Sequence, residues 1–489
     1  MDELKKIICS LIDYAERNLS LDPRDKIYKR NELCEIIGAP CFDAAEVPTA
    51  DGNRELPDEL LSALVAECKV ARLVKDGEEE ALIDKVMGEL SLMPSAVADM
   101  FDAILRDEDG KAATEWLYGY CIKNDYVKKS VLDKNPRFDV DNITVTINKA
   151  KPEFRDAKKA ASGNSIVGGY PKCTICRENE NFGGRNKRTL RTVGIKLGGH
   201  DWFWQFSPYG YFYQHGIAVN GEHIPMHVDK QTFYNLMDFV DMFPHFFIGS
   251  NAALPRIGGS VLAHDHYQGG GEVLPLQRAG VRRQLFDKSF PDVKIGIVDW
   301  PGTVVRVETD SRDDMAAVCE KIRAAWVGYS DPALGIVCED GDGIHNAVSP
   351  TVIKTAKGYE MNIILRSNIT SEEFPDGVFH AHPEFHIVKK ESIGLIEAQG
   401  LFVLPGRLDE ELCRVEKCIT AGKLTKDLSD FKLVYDEAKS IYEADGKRDV
   451  HDAMRKELGS ICGRILHNTA VFKNDGQFIE FLKGINING

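Results

Sequence analysis

One glycine-flanked segment restricts the fold and chemistry of this chain more than any other: Gly258-Gly259-Ser260-Val261-Leu262-Ala263-His264-Asp265-His266-Tyr267-Gln268-Gly269-Gly270-Gly271. From Val261 to Gln268 it reads as a short strand bounded by turn residues. Strand side chains alternate between faces, so His264, His266 and Gln268 are expected on one side. Two imidazoles and an amide make a poor core face, and they suit a site that handles a charged group. The competing reading is a half-buried strand whose histidines are satisfied by backbone partners. With 13 histidines in 489 residues, a chance His-x-His pair arises in roughly one such chain of three, so the flanks decide. Glycines allow backbone to approach a ligand closely, and exposed N–H groups in such turns favour anions.

The chain is too long for one simple core, and two or three folding units are expected. A net charge of −15 argues against non-specific nucleic-acid binding, which needs a basic footprint. It leaves room for a small anionic substrate met by locally gathered basic residues. No run of 18 apolar residues appears, so no spanning helix is expected. The N-terminal apolar stretch is broken by charge and reads as an amphipathic helix, not a secretory signal. The 12 cysteines are scattered, with one close CxxC pair. That is no disulfide framework, and a reducing cytoplasm is the expected location.

Residues 1 to about 125 have helical apolar spacing at Leu4 to Ile12, Leu60 to Leu73 and Ala98 to Leu105, interrupted by the Pro- and Asp-rich stretch Gly38 to Pro57. This region holds no histidine and reads as a scaffold or cover. The period then changes. Asp141 to Asn148 alternates polar and apolar residues, Gly163 to Pro171 reads as a loop, and Thr192 to Leu197 reads as a strand. Trp202 to Val219 predicts strand, turn, strand. Val228 to Phe243 predicts a helix capped by Asp229 and stopped by Pro244. Strands are expected at Lys294 to Val298, Thr303 to Glu308 and Tyr359 to Arg366, with a helix at Arg312 to Val327. Three helical stretches are expected from Asp409 on. The pattern is not doubly wound, and the fold class is α+β with largely antiparallel sheets flanked by helices.

Cys173 and Cys176 form a CxxC knuckle suited to one edge of a tetrahedral zinc site. With no second CxxC, further ligands must be histidines, and His215, His223, His227 and His264 are the candidates by region. A redox pair and two incidental buried cysteines are the alternatives. The absence of a thioredoxin-type context and the turn residues Asn179, Gly183 and Gly184 favour a structural metal. Arg185, Lys187, Arg188 and Arg191 form the densest basic group near the knuckle, readable as an anion contact or as solvated surface. A second histidine group, His380, His382 and His386, precedes Lys389 and Lys390, which could bind phosphate as point charges or lie solvated.

Four segments in this order, KCTICRENENFGG, WFWQFSPYGYFYQHGIAVNGEHIPM, FPHFFIGSNAALPRIGGSVLAHDHYQGG and HAHPEFHIVKKESIGLIE, closely resemble class II galactose-1-phosphate uridylyltransferases of the histidine-triad superfamily. The likeness runs from about residue 135 to 410, and the helical N-terminal region also resembles that class. It implies histidine-triad-like sheets in two related halves. The implied division is a helical region 1–130, a uridylyl-transfer half 131–290, a second half 291–405 with the hexose-phosphate segment, and a helical tail 406–489.

The resemblance implies transfer of a uridylyl group from UDP-glucose to galactose 1-phosphate, giving UDP-galactose and glucose 1-phosphate, in galactose metabolism. His266 would be the nucleophile of a ping-pong mechanism, and Gln268 would donate its amide N–H to a phosphoryl oxygen. Zinc is implied on Cys173, Cys176, His264 and His223, with His227 in reserve. Lys389 and Lys390 inherit the hexose-phosphate role, while Asn251 and Gly259 are expected near the nucleotide phosphates and Arg185 among the substrate contacts. A homodimer is implied, with no organic cofactor, nucleic acid or membrane.

A neutral imidazole, with an ordinary pKa near 6.5, is a free nucleophile at cytoplasmic pH. Gln268 supplies no proton, which favours transfer over hydrolysis. The chain departs from the class at Ala253, where Asp is usual, at Gly271-Glu272, where a His is common, and at His380-Ala381-His382, usually His-Pro-His. These bear on sugar preference and on any secondary metal site. The alternatives are a histidine-triad hydrolase or phosphorylase, which needs a third His in place of Gln268, and a non-enzymatic zinc-stabilised nucleotide-binding module.

Overall fold

Asp229 accepts the Thr232 N–H at 3.1 Å and Thr232 Oγ1 accepts the Asp229 N–H at 3.1 Å, a reciprocal cap that starts the helix Lys230–Met242 where the sequence puts it. Its buried stripe, Phe233, Leu236, Met237 and Val240, covers one face of a large antiparallel sheet. The protein is represented by a computed structural model that describes residues 2–47, 54–149, 169–259 and 261–489. Most of the loop expected at Gly163 to Pro171, part of the Gly38 to Pro57 breaker, and Ser260 lie outside the described residues.

The N-terminal helices are α1 Asp2–Asn18, α2 Lys26–Ile37, α3 Asp58–Val70, α4 Glu79–Leu90, α5 Pro94–Asp107, α6 Gly110–Lys123 and the short α7 Lys129–Leu132. Then come β1 Arg137–Val140, β2 Ile143–Asn148, β3 Val193–Leu197, β4 His200–Phe206, β5 Gly216–Asn220, α8 Lys230–Met242, β6 Phe247–Gly249 and β7 His266–Gly270. A second series follows: α9 Pro275–Arg278, β8 Val281–Asp287, β9 Lys294–Val298, β10 Val304–Thr309, α10 Arg312–Val327, β11 Glu339–Asp340, β12 Gly343–Ile344, β13 Asn346–Thr355 and β14 Gly358–Ser367. The chain closes with α11 Leu395–Ala398, β15 Leu401–Pro405, α12 Arg407–Ala421, α13 Lys432–Ala444, α14 Val450–Thr469, α15 Asp475–Gly484 and β16 Ile487–Asn488.

Among the described residues, 11 strands join in the order β16-β8-β9-β10-β14-β13-β6-β7-β5-β4-β3. The order contains a repeat. β3, β4, β5, α8, β6, β7 and β8, β9, β10, α10, β13, β14 are both three antiparallel strands, a helix and two strands. In each the fifth strand inserts between the third and the fourth. The halves meet where β6 pairs antiparallel with β13, Ile248 opposite Val352. Helices α8 and α10 pack together on one face, with Arg312 bridging Asp238 and Asp241 and the Tyr234 hydroxyl donating to Asp313 at 2.7 Å. Under them Trp204, Phe239, Phe243 and Phe246 form an aromatic core. The other face meets a second core, built from Trp300, Ile364, Phe402 and the C-terminal helices. A smaller sheet, β1-β2-β15, pairs β15 parallel to β2, so the fold is α+β and largely antiparallel.

Three expectations need correction. The strand expected from Val261 to Gln268 begins only at His266, because Met226 N–H donates to Leu262 O at 2.9 Å and Asp265 N–H to Ile224 O at 2.7 Å, tying residues 261–265 to a different segment. His264 therefore does not share the strand face of His266 and Gln268. Four helices, not three, close the chain, since α15 follows α14 after a short break. Strands β8 and β13 have no counterpart in the sequence reading. β8 is mostly exposed and highly charged, and β13 carries Pro350, which argues against a central strand. Pro350 is tolerated because it faces Ser250, just past the end of β6, and accepts that N–H at 3.0 Å.

Candidate active site

The CxxC turn is held from behind. Asn179 Nδ2 donates to the carbonyls of Cys173 and Cys176 at 2.9 and 2.8 Å, and Arg185 Nη1 donates to Cys173 O at 2.6 Å and to Asn179 Oδ1 at 2.9 Å. Lys187 Nζ donates to Thr174 O at 2.7 Å. Arg188 N–H donates to Asp84, and Arg191 donates to Leu92 O at 2.7 Å, which docks the N-terminal helices onto this region. Of the basic group singled out in the sequence, Arg185 and Lys187 thus brace the cysteine turn, and Arg188 and Arg191 brace the N-terminal helices.

In front of the turn, Cys173 Sγ lies 3.2 Å from Cys176 Sγ and 3.3 Å from His264 Nδ1, and Cys176 Sγ lies 3.7 Å from the same nitrogen. The His223 ring packs against His264 with centroids 4.4 Å apart, and among the described residues the buried His223 Nε2 has no hydrogen-bond partner. One ligand atom from each of Cys173, Cys176, His223 and His264 lies within 4.8 Å of all the others. Metal–ligand bonds of about 2.3 Å to sulfur and about 2.0 Å to nitrogen give tetrahedral edges of about 3.3–3.8 Å, so the donor set fits a zinc-sized ion. His264 Nε2 donates to the Asn220 carbonyl at 2.8 Å, which leaves Nδ1 bare and aimed at the sulfurs. The hydrogen bond from Cys176, with the neighbouring backbone N–H groups, pulls the Cys173 thiol down to about 7. His227 is exposed beside Pro225 O and Asp229, outside the cluster.

Two residues on, the His266 Nδ1–H donates to the His264 carbonyl at 2.8 Å. This fixes the tautomer and leaves Nε2 as the unprotonated nitrogen. Burial pushes the His266 pKa down to about 4, with the His264 carbonyl opposing and the His264 charge adding to the shift. Register puts Gln268 on the same face of β7. His215 Nδ1 accepts the Tyr211 N–H at 3.4 Å, and its Nε2–H donates to Gln268 Oε1 at 3.4 Å. That contact engages the Gln268 oxygen and not its NH₂ group. His215, stacked on Tyr211 at 4.8 Å, was weighed in the sequence only as a metal candidate. No local pattern links it to Gln268, since the pairing of β5 with β7 brings them together.

Two of the flanking glycines bring strands together. A Cβ at Gly269 would sit 2.0 Å from Phe247 O and one at Gly270 2.5 Å from Gln214 O, so these positions let strands close up. A Cβ at Gly259 would lie 2.9 Å from Asn251 Nδ2, so Gly259 and Asn251 are neighbours. Asn251 Oδ1 accepts the Leu395 N–H at 2.9 Å, bringing the segment after Lys390 over the sheet. Lys390 is exposed. Lys389 is buried, its ammonium donating to Glu391 at 3.2 Å, Glu397 at 3.0 Å and Val403 O at 3.1 Å. His380, His382 and His386 all bond to backbone carbonyls of their own loop, and among the described residues no metal-ligand group other than the Cys173 cluster is present.

Residues 238–431 match the family described as Galactose-1-phosphate uridyl transferase, C-terminal domain. The chain is 49% identical to a galactose-1-phosphate uridylyltransferase of Bifidobacterium longum subsp. longum, over 99% of both proteins. It is 35% identical to the Clostridium acetobutylicum enzyme of that name, over 98% of this chain and 99% of the relative. It is 34% identical to galactose-1-phosphate uridylyltransferase 1 of Streptococcus pneumoniae serotype 4, over 99% of this chain and 100% of the relative. No solved structure matches. With identity of this extent along the whole length, the chain belongs to the galactose-1-phosphate uridylyltransferase family.

Proposed function

We propose that this protein moves a uridylyl group from UDP-glucose to galactose 1-phosphate by a ping-pong mechanism, releasing glucose 1-phosphate and then UDP-galactose. The observation that carries it is the His266 ring, with Nδ1 donated to the His264 carbonyl and Nε2 bare. The Nε2 lone pair attacks the α-phosphorus of UDP-glucose in line, and the bond from that phosphorus to the bridging oxygen breaks as glucose 1-phosphate leaves. Positive charge gathering on the imidazole is met by the His264 carbonyl. The Gln268 NH₂ donates to a non-bridging oxygen, held in that sense by His215. A phosphate oxygen of galactose 1-phosphate then attacks the same phosphorus, the P–N bond breaks, and His266 returns neutral.

Cys173, Cys176, His223 and His264 would hold zinc, whose contribution is to fix the turn that carries the His264 carbonyl. Asn251, Gly259 and Lys390 bound the substrate, while Lys389 and Arg185 act from behind, setting the 390–397 segment and the cysteine turn. Residues 131–290 supply the uridylyl chemistry, 291–405 the hexose-phosphate segment, 1–130 a cover and 406–489 a helical support. We further propose a cytoplasmic homodimer. Among the described residues no helix is long and apolar enough to cross a membrane.

The test is isotope exchange. Labelled glucose 1-phosphate should enter UDP-glucose with no galactose 1-phosphate present. Exchange that requires both sugar phosphates contradicts a covalent enzyme intermediate.

A further inference from the structure

The face of the sheet turned away from α8 and α10 carries a charged group that the mechanism leaves unused. Gln268 on β7 lies opposite Gly249, Gly249 opposite Thr351, and Thr351 opposite Asn362 on β14, so all four project to one face. His266 and Arg366 lie two and four residues along their own strands from this row, hence on the same face. Three strand spacings of about 4.8 Å separate β7 from β14. That gap suits an imidazole and a guanidinium reaching from opposite sides toward the adjacent α- and β-phosphates of one nucleotide sugar.

Arg366 is 1% exposed, and its Nη2 donates to Ile393 O at 2.7 Å. Its Nε and Nη1 have no hydrogen-bond partner among the described residues. The nearby Glu397 carboxylate is spoken for, one oxygen by Lys389 at 3.0 Å and the other by the Gly394 N–H at 3.2 Å. A buried guanidinium with two idle donors is costly unless something arrives to meet it. Burial lowers its pKa to about 10, so it stays charged at neutral pH. A second idle group sits on the way: Ser349 Oγ is buried without a hydrogen-bond partner among the described residues, and Ser349 shares the Arg366 face. The ladder that continues from β6 through Ser250 N–H to Pro350 O puts Asn251 abreast of Ser349. The segment bonded to Arg366 at Ile393 is the one bonded to Asn251 at Leu395.

We propose that Arg366 binds the phosphate of the hexose 1-phosphate through Nε and Nη1, with Ser349 Oγ as an auxiliary donor, a role that rests on the uridylyl-transfer reading of this site. The fork of an arginine matches two phosphate oxygens, which neither Lys389, consumed in its own ion pairs, nor the exposed point charge of Lys390 can do. In UDP-glucose the same group would hold the β-phosphate, so donor and acceptor use one clamp.

The test compares two probes on wild type, Arg366→Lys and Ser349→Ala. Glucose 1-phosphate carries the clamped group, and UMP lacks it. For Arg366→Lys, glucose 1-phosphate should bind about tenfold or more weakly while UMP binding stays within about twofold. For Ser349→Ala the glucose 1-phosphate loss should be smaller but in the same direction. Labelling of His266 by saturating UDP-glucose should persist, which separates failure of the clamp from failure of the mechanism. Equal weakening of both probes, or of neither, overturns the proposal. Should Arg366→Lys not fold, a structure of the wild-type protein with glucose 1-phosphate decides: phosphate oxygens on Arg366 Nε and Nη1 support the clamp, and phosphate elsewhere overturns it.

Discussion

The carbonyl of His264 accepts the Nδ1–H of His266 at 2.8 Å, while the side chain of His264 points the other way, its Nδ1 3.3 Å from Cys173 Sγ. One residue therefore belongs to two sites. Its ring closes the cysteine cluster, and its backbone sets the tautomer of the proposed nucleophile. Whatever fixes the cluster also fixes the direction of the His266 lone pair.

Removing a cluster ligand should therefore cost both metal and rate. Cys173→Ser and His223→Ala are expected to lose bound zinc and to transfer uridylyl groups about 10–100-fold more slowly. Metal analysis alongside initial rates checks this. His227→Ala should change neither, because His227 lies outside the cluster.

Gln268→Ala should slow transfer by about 10²–10³, as expected for one lost donor to a phosphoryl oxygen. His215→Phe keeps the stack on Tyr211 but removes the N–H to Gln268. A smaller loss is expected, and it should vanish in a Gln268→Ala background, which a double-mutant cycle measures. Gln268→His supplies a proton donor and should raise UDP-sugar hydrolysis.

The pH behaviour follows from burial. With the His266 pKa pushed from 6.5 down to about 4, the ring stays neutral across the working range. Single-turnover labelling by UDP-glucose should not lose rate to His266 protonation between pH 8 and pH 5. His380 is lowered to about 4 as well, again by burial first. Between pH 6.5 and 4 the unfolded chain binds protons that these native rings refuse, so stability falls as pH falls through that window. His380→Asn should flatten that fall, read as Tm against pH.

Lys389 and Lys390 should part company. Lys389→Met leaves Glu397 and Glu391 without their buried partner and is expected to destabilise the fold by about 3–5 kcal/mol. Lys390→Met should leave the unfolding free energy within about 0.5 kcal/mol of wild type. Its effect should fall on the KM for galactose 1-phosphate. Chemical denaturation and steady-state kinetics together separate the two.

How much of this was legible beforehand depended on range. The α8 helix was readable because Asp229, the 3.6-residue apolar stripe and Pro244 all agree locally. The α10 helix and strand β9 were also bounded to the residue by local pattern. The cysteine cluster was reachable from spacing plus family likeness. The turn at 261–265 was not, because its partners Ile224 and Met226 sit about forty residues upstream and override the alternating pattern. Lys389 and Lys390 look alike in sequence, and only the placement of Glu397 and Val403 tells them apart. The roles of His215 and Arg366 depend on strand pairing across the sheet, which no local signal carries.

The most direct measurement is the site of covalent label. The protein is incubated with UDP-glucose alone, quenched in base, digested and analysed by mass. The account predicts one acid-labile uridylyl group on His266, discharged by galactose 1-phosphate and absent from His266→Asn. A label on any other residue, or full transfer by His266→Asn without a label, would contradict it.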